Sequence, residues 1–289
     1  MRFAFIDEEK ANYPLRTLLR VMDVSESGFY DWKSREPSKR ARVDEKVKKL
    51  MKGIQKQQRG FLGVPRMRKA LRHLGHHLSK DRVRRLMHEA NAAWKRRKPF
   101  VVTTTMAPGA KFADNILDRH FNPEAPNMVW AADITYILTD EGHMYLAVVM
   151  DLYSRAIVGW CLAEHMRADL VTKAFEMAVR NRRPPRGLLH HSDRGVQYTS
   201  GDFKRLLDVT GGILSMSRKG ECWDNAVLES FFGTLKHELG DRWATKFEAR
   251  RCIPRYIETF YNTVRMHSTL DCLAPLQFEK KAAMLKMAA

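Results

Sequence analysis

An aspartate interrupts a long apolar run. Met128-Val-Trp-Ala-Ala-Asp-Ile-Thr-Tyr-Ile-Leu138 reads as a buried strand, with Asp133 where the pattern asks for an apolar side chain. A second short strand, Leu188-Leu-His-His-Ser-Asp193, ends on another aspartate and passes into the turn residues Arg194-Gly195. An ionised carboxylate in a strand core is destabilising unless it is paired or holds a cation. Any fold that buries these strands must supply such a partner.

A third acid lies on a helix. Asp224 or Asn225 can cap it, and Val227, Leu228, Phe231, Phe232 and Leu235 recur at helical spacing as a buried stripe. Glu229, Gly233 and Lys236 share a neighbouring face at i, i+4 and i+7. A solvated helix side would give the same spacing. Thirty-five residues, 194 to 228, separate Asp193 from Glu229.

The surrounding periodicities define an α/β body. Strands are predicted at Met128–Thr139, His143–Leu152 and Ala156–Ala163, the first two joined by a hairpin at Asp140-Glu-Gly142. A helix over Asp169–Arg182, a strand at 187–192, a helix at 201–209, a strand at Ile213–Met216 and the Glu229 helix follow. That order predicts a mixed five-stranded sheet flanked by helices.

Charge divides the chain. Residues 1–110 carry 27 Lys and Arg against 11 Asp and Glu, whereas residues 111–289 carry 24 against 22. The first part is a polyanion binder by charge, with nucleic acid the expected polyanion. Within it, Pro14–Asp23 and Glu26–Lys33 outline a helix-turn-helix, with Ser25 as N-cap and Lys33 a candidate DNA contact. Arg35–Arg42 reads as a basic linker, and helical periodicity resumes from Val43 to Gln58. Pro65–Leu74 and Ser79–His88 form a second candidate, with Val83, Leu86 and Met87 inward and Lys80, Arg82, Arg84 and Arg85 free to meet phosphates or bases. His73, His76, His77 and His88 read as surface histidines rather than a zinc module. The expected division is a helix-turn-helix at 1–36, a second helical DNA-binding unit at 37–93, a basic linker at 94–122, a catalytic core at 123–262 and a C-terminal extension at 263–289.

Cys161, Cys222, Cys252 and Cys272 include no C-x-x-C pair, which fits reduced thiols. The sequence has no run approaching the ~20 apolar residues of a membrane span and no signal-peptide core at its start, so a cytoplasmic protein is expected.

Asp133, Asp193 and Glu229, with their final gap and Lys236 seven residues on, resemble the D,D-35-E set of retroviral-integrase-type transposases. The words His191-Ser-Asp-Arg-Gly-Val-Gln-Tyr198, Met216-Ser-Arg-Lys-Gly-Glu-Cys-Trp-Asp-Asn225, Glu229-Ser-Phe-Phe-Gly-Thr-Leu-Lys-His-Glu238 and Tyr261-Asn-Thr-Val-Arg-Met-His267 resemble the second-frame (OrfB) transposase of the bacterial insertion-sequence family named for IS-three. The likeness runs from about residue 14 to residue 279. Phe61-Leu-Gly-Val-Pro65 departs from the Tyr-Gly-x-Arg-Arg wording expected of that family. The resemblance implies a ribonuclease H-like core in which the first and fourth strands are neighbours, with Asp133 beside Asp193 and the Glu229 helix across them.

Three converging carboxylates repel one another unless a cation lies between them. Oxygen ligands without His or Cys suit Mg²⁺ or Mn²⁺, and two such ions would serve an in-line displacement. The resemblance supplies the reaction: cleavage at the element's ends, then strand transfer by a DNA 3′-hydroxyl. It also implies a phosphate contact for Lys236. Arg218 and Lys219 are expected in a mobile loop that guides DNA, with Trp223 and Asn225 shaping it. Asp151 reads as a support of the site or an ordinary turn residue rather than a ligand, His190 and His191 as supports. Expected partners are the terminal repeats and target DNA, further copies of this chain, and an upstream OrfA product or fusion. Two rival readings are a metal-dependent nuclease on the same fold and a non-catalytic DNA-binding regulator.

Overall fold

The structure, a computed structural model, describes residues 2–92, 113–218 and 222–288. Strand β1 (Val129–Thr139) is the spine of its sheet. On one side it pairs antiparallel with β2 (Gly142–Asp151), which pairs antiparallel with β3 (Ile157–Ala163). On the other side β4 (Leu189–Ser192) and then β5 (Ile213–Met216) run parallel to it, giving the order β3-β2-β1-β4-β5. The five strands read in the sequence are present within a residue or two of their expected ends. A sixth, β6 (Arg242–Trp243), pairs with β1 at Leu138 and Thr139; two residues carry no period to read. Thr139 lies opposite Gly142, so Asp140 and Glu141 form a two-residue hairpin loop, and Gly142 supplies the positive φ of 110°.

The two-residue period of β1 feeds two cores. Trp130 and Ala132 enter one with Phe175 of α7 (Ala168–Arg182) and Phe203 of α8 (Gly201–Thr210). Ala131 and Ile137 enter the other with Leu228 and Phe231 of α9 (Ala226–Leu239) and Ile253 of α10 (Lys246–Tyr256). By this alternation Asp133 falls on the α9 side. Helix α7 lies so close to β3 that a Cβ on Gly159 would stand 2.1 Å from the Ala174 carbonyl oxygen. Glycine permits that approach.

The N-terminal region is helical. Helices α1 (Arg2–Glu9), α2 (Leu15–Val21) and α3 (Glu26–Ser34) gather Ile6, Leu18, Leu19 and Phe29 into a small core. Ser25 caps α3 as read, accepting the Gly28 N–H at 3.1 Å. Helix α1 was not foreseen: Phe3, Phe5 and Ile6 are too few to set a period. The linker expected at Arg35–Arg42 is shorter, because Ser38 accepts the Ala41 N–H (3.1 Å) and starts α4 (Lys39–Gln57) directly after Pro37. Helices α4, α5 (Val64–His73) and α6 (Lys80–Glu89) share a second core of Val47, Met51, Met67, Leu71, Val83 and Leu86. Gln58 joins this unit to the C-terminal part, its Nε2 donating to the Val264 carbonyl (2.9 Å) and its Oε1 accepting the Met266 N–H (3.1 Å). Helix α11 (Pro275–Ala288) is tied back by Glu279, which accepts both Arg182 terminal nitrogens at 2.7 and 3.0 Å. Most of the linker at 94–122 lies outside the described residues.

Candidate active site

Strand pairing brings the first two acids together. β1 and β4 are in register through Ala132 and Ser192, so the next residues, Asp133 and Asp193, leave the last parallel rung side by side. Asp193 is fixed by an Asx-type turn in which the Gly195 N–H donates to its Oδ1 at 3.0 Å. A Cβ at position 195 would lie 2.9 Å from that oxygen, so glycine keeps the turn open. Asp133 Oδ1 accepts the Ile134 N–H at 2.8 Å. Glu229 is in the first turn of α9, next to Leu228, whose burial seats the helix against the sheet.

Burial raises the Asp133 pKa well above the usual carboxylate range; Asp193 pushes the same way, the Ile134 N–H opposes, and Glu229 adds a further raising field. Burial also raises Asp193, against the Gly195 N–H, and raises Glu229. No cation among the described residues is among the groups that shift any of the three. The aspartate pair therefore keeps a proton further toward neutral pH than an isolated carboxylate would, and a cation between the two would displace it. The donor chemistry fits a hard divalent ion. The geometry is less complete: among the described residues no three His, Cys, Asp or Glu side chains stand together as a ready-made metal cage. Asp133 and Asp193 are the near pair, and Glu229 acts on Asp133 from α9 without closing the ring.

The surroundings divide between expected and missed residues. His191 is locked between Ser215 Oγ (2.9 Å) and Ser217 Oγ (3.2 Å), tying β4 to β5, and burial lowers its pKa to about 4. His190 sits among Phe203 and Phe175 rings at 5.0 and 5.3 Å, and burial lowers it to about 3. Both are neutral supports. Asp151 accepts the Asn127 and Tyr153 N–H groups (2.8 and 2.9 Å), the turn role read for it; burial raises its pKa to about 6. Tyr198 was quoted in a motif but given no role. Its hydroxyl is buried without a hydrogen-bond partner, and its pKa is raised by burial and then by Asp133 and Asp193.

Asp224 overturns its reading as a cap. Asn225 is the residue before α9 and makes no side-chain capping bond. The Asp224 carboxylate instead gathers Asn115 Nδ2 (2.8 Å), Arg119 Nε (2.8 Å) and the Arg218 N–H (2.9 Å). Burial would raise its pKa, but the bonds from Arg218 and Arg119 outweigh that and hold it at about 2. This hub ties the segment before β1 and the end of β5 to the approach to α9, and so sets where Glu229 begins its helix. Arg218 is anchored, to Asp224 and to Asp118 (2.9 Å). Lys219 and the side chain of Trp223 lie outside the described residues.

The other basic candidates are dispersed. Lys236 is half-buried on α9, where burial lowers its pKa and Asp241 opposes. The expectation of free cations on α6 needs correction. Arg82 and Arg85 both bind Asp44 of α4, at 2.6 and 2.8 Å. Arg84 pairs with Asp81 at 2.7 Å but stays exposed, as does Lys80 at the start of α6. Lys33 meets Asp7 at 3.3 Å.

Comparison with known proteins agrees with this architecture. Two models described as integrase core domain match residues 123–222 and 211–275, and one described as HTH-like domain matches 42–100. The chain is 42% identical over 266 residues to the insertion element IS600 uncharacterized 31 kDa protein of Shigella sonnei, covering 91% of this chain and 98% of that one. It is 36% identical over 285 residues to transposase InsF for insertion sequence IS3A of Escherichia coli (strain K12), covering 97% and 99%. Among solved structures, the HTLV-2 integrase catalytic core domain in complex with magnesium aligns with a TM-score of 0.42 at 18% identity, over 54% of this chain and 98% of that one. Integrase-core sheet, helical HTH-like region and near-full-length relatives define a polynucleotidyl transferase. The chain belongs to the family of transposases of the insertion sequence IS3. Among the described residues no helix is long and apolar enough to cross a membrane.

Proposed function

We propose that Asp133, Asp193 and Glu229 are the catalytic acids of this transposase and would together hold two Mg²⁺ or Mn²⁺ ions for cleavage at the element's ends and strand transfer by the freed 3′-hydroxyl. When bound, the ions supply Lewis-acid activation of the attacking oxygen and charge neutralisation at the leaving one. The chain's own residues do the rest. Asp133, whose carboxyl feels both other acids, would be the ligand common to the two ions; the Gly195 N–H holds Asp193 in one orientation; Glu229 is carried in on α9, positioned by the Asp224 hub. Lys236, seven residues further along α9, contacts a backbone phosphate, and Arg218 and Lys219 guide DNA. Residues 1–36 and 37–93 bind DNA ahead of the core at 123–262, with Lys33, Lys80 and Arg84 facing phosphates or bases, while Arg82 and Arg85 stay on Asp44. Holding two ends together calls for more than one copy of the chain, with an OrfA product or fusion as a further partner.

The observation that supports this reading is the β1–β4 register, which sets two half-buried aspartates side by side with raised pKa values and, among the described residues, no cation in the groups that shift them. The test is joining of a pre-cleaved element end to target DNA in Mn²⁺. Wild type is expected to join, and Asp193→Asn to bind DNA without joining. Cleavage without joining would point to a nuclease; unchanged joining by Asp193→Asn would remove the acid from the chemistry.

A further inference from the structure

The run Tyr261–His267 takes no part in the acidic site. Asn262 anchors it to β3, accepting the Ile157 N–H and donating to the Ile157 carbonyl, both at 2.9 Å. The remainder turns toward a cavity of about 490 Å³ between α5, the β2–β3 turn and a face of α9 next to that of Glu229. That volume lies in the range of small-ligand sites, roughly 300–1,000 Å³.

The lining is cationic. Arg66, Arg155 and Arg265 stand around it with His267, and no carboxylate lines it among the described residues. Arg66 gives its N–H groups to the Phe61 and Met266 carbonyls (2.7 and 3.2 Å), and Arg155 donates to Asn122 Oδ1 (2.9 Å). These partners are neutral; Glu238 acts on Arg66 and Asp151 on Arg155 only through their fields, and burial outweighs them, so both pKa values are lowered. Arg265 is paired with Glu238, its Nε at 2.9 Å. The nearby acids are already engaged: Glu238 also accepts the Tyr256 hydroxyl (2.8 Å), and Asp151 accepts its two N–H groups. Arg155 Nη1 and His267 Nε2 are buried with no hydrogen-bond partner among the described residues. Burial and then Arg265 lower the Arg66 pKa; burial and all three arginines lower that of His267. Gathering like charges with unmet donors is destabilising in an empty site and favourable around an anion with several acceptor oxygens. Guanidinium forks match phosphate in particular, and the Ser230, Thr234 and Thr269 side chains also line the wall.

We propose that this cavity binds a phosphate group at the junction of the HTH-like unit and the core. The group comes either from a DNA backbone crossing that junction, a source that rests on the transposase reading, or from a free small phosphate, which does not. The test uses the full chain in EDTA, so that failure of the acidic site to catalyse has no bearing on it. Inorganic phosphate is titrated by thermal shift in chloride buffer, and a labelled 20-base-pair duplex by anisotropy across KCl concentrations. Arg66→Gln is expected to bind inorganic phosphate about tenfold more weakly than wild type. Thr269→Asp, at an exposed rim position, puts a carboxylate in the mouth and should abolish that binding even if Arg66→Gln does not fold. A fall of about 1 in the salt slope of duplex binding in either variant identifies the DNA backbone as the source; an unchanged slope with weakened phosphate binding identifies a free phosphate. If folded variants bind both probes as wild type does, or wild type binds no phosphate, the proposal fails.

Discussion

Two aspartates, one in the HTH-like unit and one in the core, are treated in opposite ways. Asp44, in the HTH-like unit, is met by Arg82 and Arg85; burial would raise its pKa, but the bonds from Arg85 and Arg82 outweigh it and the net shift is downward. Asp133, in the core, has Asp193 beside it and the weaker field of Glu229, and is shifted upward. The first arrangement uses two arginines of α6 to hold that helix to α4. The second leaves negative charge unsatisfied where a ligand must bring the counter-charge. Local cation supply thus separates a carboxylate that serves the fold from one proposed to serve chemistry.

The largest expected effect follows from that contrast. Asp133→Asn should lower strand transfer by at least about 10³-fold while leaving the thermal midpoint unchanged or higher, because an uncompensated buried charge is removed. A matching loss of stability would break the comparison. Asp44→Ala should do the reverse, destabilising the chain by about 1–3 kcal/mol in denaturant unfolding, a range reduced for the half-exposed Arg85.

The pH dependence sharpens the contrast because the signs differ. Asp133 and Asp193 have raised native pKa values, so their contribution to stability is full below the unfolded carboxylate pKa and is lost as pH rises through the native values. Asp44 and Asp224 are lowered, so theirs is present above the unfolded value and lost as pH falls, toward about 2 for Asp224. In EDTA the midpoint of wild type should fall from pH 5 to pH 8 more than that of Asp133→Asn, and Mg²⁺ should restore it at pH 8 more than at pH 5. Equal slopes in the two proteins would count against the uncompensated pair. The smallest effect is expected at the surface. Arg84→Gln should change stability by less than about 0.5 kcal/mol and reduce the salt slope of DNA binding by about 1.

What the sequence disclosed follows the same division. Asp133 and Asp193 were legible because each violates a short apolar pattern, and local pattern also yielded the five strands of the β3-β2-β1-β4-β5 path and the Ser25 and Ser79 caps. Long-range pairing was not legible. Arg82 and Arg85 looked free because their acid lies 38 and 41 residues earlier, and Asp224 looked like a cap because its partners Arg119 and Asn115 lie 105 and 109 residues away. Tyr198 carried no signal, since a buried tyrosine behind a sheet resembles any core aromatic until the carboxylates beside it are located.

The central claim is that Asp133, Asp193 and Glu229 close around divalent metal once DNA is bound, although no such cage stands formed among the described residues. Anomalous scattering from crystals of the protein–DNA complex grown with Mn²⁺ tests it directly. Manganese peaks between Asp133 and Asp193, with Glu229 drawn into the coordination sphere, are the predicted result; ordered DNA with no manganese at that pair, or with Glu229 still remote from it, would contradict the account.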